Sequence, residues 1–78
     1  MMDVAEHRAK LVRMANQISA SVPDPLRAGE QTANHLRGFW TPGMLDELIG
    51  AAAQDPDALY PAVHEALAAL RPTATVLD

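Results

Sequence analysis

His35-Leu36-Arg37-Gly38-Phe39-Trp40-Thr41-Pro42-Gly43-Met44 closes one helical pattern and opens another within ten residues. Thr41 before Pro42 has the chemistry of a helix start. The hydroxyl can accept from an amide that the first turn leaves without a partner, and proline at the first position forfeits no bond. Upstream, Leu26, Gly29, Ala33, Leu36 and Trp40 recur at intervals of three and four, the spacing that gathers side chains on one helical face. Downstream, Met44, Leu45, Leu48, Ile49 and Ala52 do the same. Gly29, Gln31, Thr32 and Asn34 lower helix propensity in the middle of the upstream helix.

The same punctuation organises the rest of the chain. Asp24-Pro25 repeats the cap-and-proline start, and Ser21-Val22-Pro23 stops whatever precedes it, because each proline removes a donor and turns the preceding residue away from helical angles. Before that stop, Val4, Leu11, Met14, Ala15, Ile18 and Val22 line one face of a first helix, with Asp3 as its expected cap. Glu6 and Lys10 are spaced for an i,i+4 ion pair on its surface. Asp55-Pro56 opens a short turn, and Pro61 begins a last helix in which Leu59, Val63, Leu67 and Leu70 share a face and Pro72 ends the run. The expectation is an all-α fold: a small bundle or orthogonal array of four short helices over 4–21, 25–39, 42–53 and 61–71, joined by proline turns. Residues 1–78 form one domain, with 72–78 a flexible tail.

Seventy-eight residues lie below the common domain size of about 100–150. The hydrophobic fraction is 49%, but 15 of those side chains are Ala, and Phe39, Trp40 and Tyr60 are the sole aromatics. Such a core supplies about 3–5 kcal/mol of net stability at most. Without cysteine there is neither a disulfide nor a thiolate zinc site to add to it. Assembly with another chain is the support that remains. Charged residues from Asp3 to Arg13 interrupt any apolar stretch a signal peptide would need, and no run reaches the ~18 apolar residues of a membrane span, so the expected location is cytoplasmic. The chain carries a net charge of −4, concentrated after residue 40, and has no basic footprint of the kind that neutralises phosphates.

Groupings that perform chemistry are not legible. His7, His35 and His64 are too far apart to pair on one helix as metal ligands. Ser19 and Ser21 lack the glycine-flanked elbow of a catalytic serine, and the four glycines are single and scattered rather than gathered into a phosphate loop. Asp46-Glu47 and Asp55/Asp57 read as carboxylates in or before first helical turns, where they complement the helix dipole. No catalytic, cofactor-binding or metal-binding residue is assigned, and an independent enzyme is not expected. Two groups suit a partner instead. Arg8, Arg13, Asn16 and Gln17 fall on or near one side of the first helix. At the corner, adjacent Phe39 and Trp40 cannot both enter one small core: either one faces a groove or partner, or Phe39 closes the corner internally while Trp40 covers the edge of the core.

Lys10-Leu11-Val12-Arg13-Met14-Ala15-Asn16-Gln17-Ile18, the corner decapeptide His35–Met44 and Pro61-Ala62-Val63-His64-Glu65-Ala66-Leu67 together resemble the delta subunit of the NAD-dependent, molybdenum-containing formate dehydrogenases. That family often carries an acidic residue where Thr41 stands and basic residues where Gly43 and Leu45 stand. The resemblance implies a non-catalytic accessory subunit of a cytoplasmic complex that oxidises formate to CO2 and reduces NAD. Molybdopterin, iron–sulfur clusters and FMN would sit in the larger subunits and no cofactor in this chain. Arg13, Asn16, Gln17, His35, Arg37, Phe39, Trp40 and Met44 are the expected contacts with those larger subunits. Two readings from other classes are a helical DNA-binding regulator, using Arg8, Lys10 and Arg13, and a stand-alone homodimer whose second copy completes the thin core.

Overall fold

Each X-Pro step among the described residues breaks the backbone where it is expected to. In a computed structural model of the chain, which describes residues 4–70, α1 (Val4–Ala20), α2 (Ala28–Phe39), α3 (Pro42–Gln54) and α4 (Pro61–Leu70) are the elements. Single 3-10 turns, Pro25–Arg27 and Pro56–Ala58, precede α2 and link α3 to α4, and no strand occurs among the described residues. The fold is all-helical, as the periodicity predicts. Asp3, Arg71, Pro72 and the expected tail lie outside the described residues.

The caps form as their chemistry requires. Thr41 Oγ1 accepts from the Met44 amide at 3.2 Å, and the Thr41 carbonyl accepts from the Leu45 amide at 3.1 Å. Asp24 Oδ1 accepts from the Leu26 amide at 3.0 Å, but the helix it opens is a 3-10 turn for its first three residues. That change of pitch corrects one expectation: Leu26 is 93% exposed instead of joining the stripe, because the tighter turn swings it out of register with Gly29, Ala33 and Leu36. Gly50 does not end α3, which runs on to Gln54.

One core cluster joins all four helices through Leu11 and Ala15 of α1, Ala33 and Leu36 of α2, Leu48 and Ala52 of α3, and Val63, Ala66 and Leu67 of α4, with Trp40 and Leu59 contributed by the connections. Ile18, Met44, Leu45, Ile49 and Leu70 pack half-buried around it. The most extensive packing is α2 on α4, while α1 packs against both α3 and α2. Glycine makes two of these approaches close. A Cβ on Gly29 would meet the Glu65 carboxylate and come within 2.9 Å of Glu65 Cβ, and one on Gly50 would lie 2.8 Å from an Arg8 guanidinium nitrogen. No helix among the described residues is long and apolar enough to cross a membrane.

Candidate interaction surface

The polar residues of α1 divide between two flanks. Arg8, expected on an outward basic face, turns inward: its Nε donates to Glu47 Oε1 at 2.7 Å and its Nη1 to Gln54 Oε1 at 3.1 Å, lashing α1 to α3. Glu47 is therefore no dipole complement of a first turn. It stands in the middle of α3, and the hydrogen bond from Arg8 holds its carboxyl below the usual glutamate range, outweighing the desolvation that opposes it, with the charges of Arg8 and His7 assisting. Asn16 is also engaged within the fold. Its Nδ2 donates to the Ala58 carbonyl and its Oδ1 accepts from the Tyr60 amide, both at 2.9 Å, so it fixes the turn before α4. Arg13 is exposed and borders a groove between α1 and α3 that also includes Asp55. The expected grouping of Arg8, Arg13, Asn16 and Gln17 thus does not form one solvated face.

Gln17 is on the other flank. With Met14, Ile18 and Ser21 it lines one wall of an open groove of about 320 Å³, completed by His35 and Trp40 across from α1. The corner resolves the choice between its two aromatics. Trp40, in an extended conformation just after α2, is a core residue 8% exposed with an edge on this groove, whereas Phe39 is 77% exposed. Phe39 is not left bare, because the His35 ring stacks on it at 4.8 Å with the planes inclined by 35°. That contact follows from i,i+4 spacing, a signal present in the sequence that the reading of adjacent aromatics passes over. Arg37, two positions from His35 and hence roughly 200° around the helix, points away from the stack and donates to Asn34 at 3.0 Å. Met44 is half-buried against the core. Of the eight expected contact residues, then, Gln17, His35, Phe39 and Trp40 come together, Arg13 and Asn16 lie on the opposite flank of α1, and Arg37 and Met44 stand apart.

The other histidine whose contact is defined is a fastener: His64 Nε2 lies 2.6 Å from the Pro56 carbonyl and donates to it, tying α4 to the 3-10 turn. Among the described residues, no three His, Asp or Glu side chains gather where they could hold a metal ion. The surface offers contact area and hydrogen-bonding groups.

No curated protein and no solved structure matches the chain. The family model of the NADH-dependant formate dehydrogenase delta subunit FdsD matches residues 10–67, about three quarters of the sequence, running from the α1 flanks through the aromatic corner into α4, and the chain belongs to that family.

Proposed function

We propose that the chain is a non-catalytic accessory subunit of a cytoplasmic formate dehydrogenase complex, docked on the larger subunits and supporting assembly or stability of the complex that oxidises formate to CO2 and reduces NAD. The observation that carries this reading is the family match over residues 10–67, which spans every element that shapes the surface around Phe39. Physical support comes from the smallness of the core, whose eleven-residue cluster includes four alanines, and from an exposed aromatic that a partner would cover.

Molybdopterin, iron–sulfur clusters and FMN belong to the other subunits on this reading. The chain has no cysteine for a cluster and no glycine-rich loop for a flavin phosphate. A DNA-binding role is disfavoured by Arg8, whose charge is already neutralised by Glu47. Expression of the larger subunits with and without this chain tests the proposal. Co-elution of the chain with the complex, and a lower yield of assembled, formate-oxidising complex when it is omitted, are expected. A chain that elutes alone, or a complex unaffected by its omission, would overturn the reading.

A further inference from the structure

We draw no further inference here: the strongest candidate, the open groove between α1 and α2 lined by Met14, Gln17, Ile18, Ser21, His35 and Trp40, carries nothing because nothing in the structure shows what covers it.

Discussion

Asn16 uses both halves of its amide inside the fold, donating to the Ala58 carbonyl and accepting from the Tyr60 amide. Asn16→Ala removes both bonds at a partly wetted site and should cost about 1–2 kcal/mol. A lower urea midpoint for the isolated chain checks this, and Asn16→Asp, which keeps the acceptor for Tyr60, should lose less. An unshifted midpoint in the alanine variant would mean that water replaces both bonds without loss. Thr32 presents the opposite case. It is fully buried in α2, and its hydroxyl has no hydrogen-bond partner among the described residues. Thr32→Val keeps the shape and removes the unsatisfied group, so the midpoint should rise by an amount worth about 1 kcal/mol. Neither role is legible from sequence, because both depend on groups that tertiary packing brings up: Asn16 and Tyr60 are 44 positions apart, and Thr32 reads from propensity as a weak helix residue rather than a core one.

Among elements, the boundaries were readable because proline and its capping neighbours act locally. Thr41-Pro42 and Asp24-Pro25 need only their own backbone to end one segment and start the next. What periodicity cannot supply is how closely two helices approach. Gly29 and Gly38 each stand second from an end of α2, yet a Cβ at Gly29 runs into Glu65, while one at Gly38 meets nothing within 4 Å among the described residues. Gly38→Ala should therefore stabilise by about 0.5–1 kcal/mol through helix propensity alone. Gly29→Ala should destabilise by about 1–3 kcal/mol, since the encroaching atoms include Glu65 Cβ, which cannot swing away. Opposite shifts in thermal midpoint check the pair. The Arg8–Glu47 link between α1 and α3 has a pH signature. Because the folded-state pKa of Glu47 is depressed, its stabilisation is fully present above the unfolded value of about 4.3 and is lost as pH falls through the lower folded value. Glu47→Gln should thus be less stable than wild type near neutrality, and the gap should close as pH falls below the unfolded value and through the lower folded one. A constant gap in acid titrations of the two proteins would show that the carboxylate charge is not what binds α1 to α3.

At the scale of the whole molecule, the eleven-residue cluster takes members from every helix, so no helix has a core of its own. The thinness of that core was visible in composition, since alanine supplies so much of the hydrophobic content. Which side of the aromatic corner faces out was not, because adjacent residues on a helix end differ in burial only once a third element is placed against them. Trp40 ended up as the single tryptophan within the cluster and Phe39 outside it. That placement makes the one-domain expectation measurable. Trp40 fluorescence reports tertiary packing at the junction of α2 and α3, while circular dichroism reports helix content over the whole chain. If 1–78 is one cooperative unit, the two signals must follow a single denaturant transition with the same midpoint and slope. Should fluorescence change first, with most helical signal retained, the α2–α3 corner would be coming away from the rest, and α1 and α4 would have to hold structure without Trp40 and Leu36. The cluster argues against that, because Leu36 and Trp40 are two of its six side chains larger than valine, the others being Leu11, Leu48, Leu59 and Leu67.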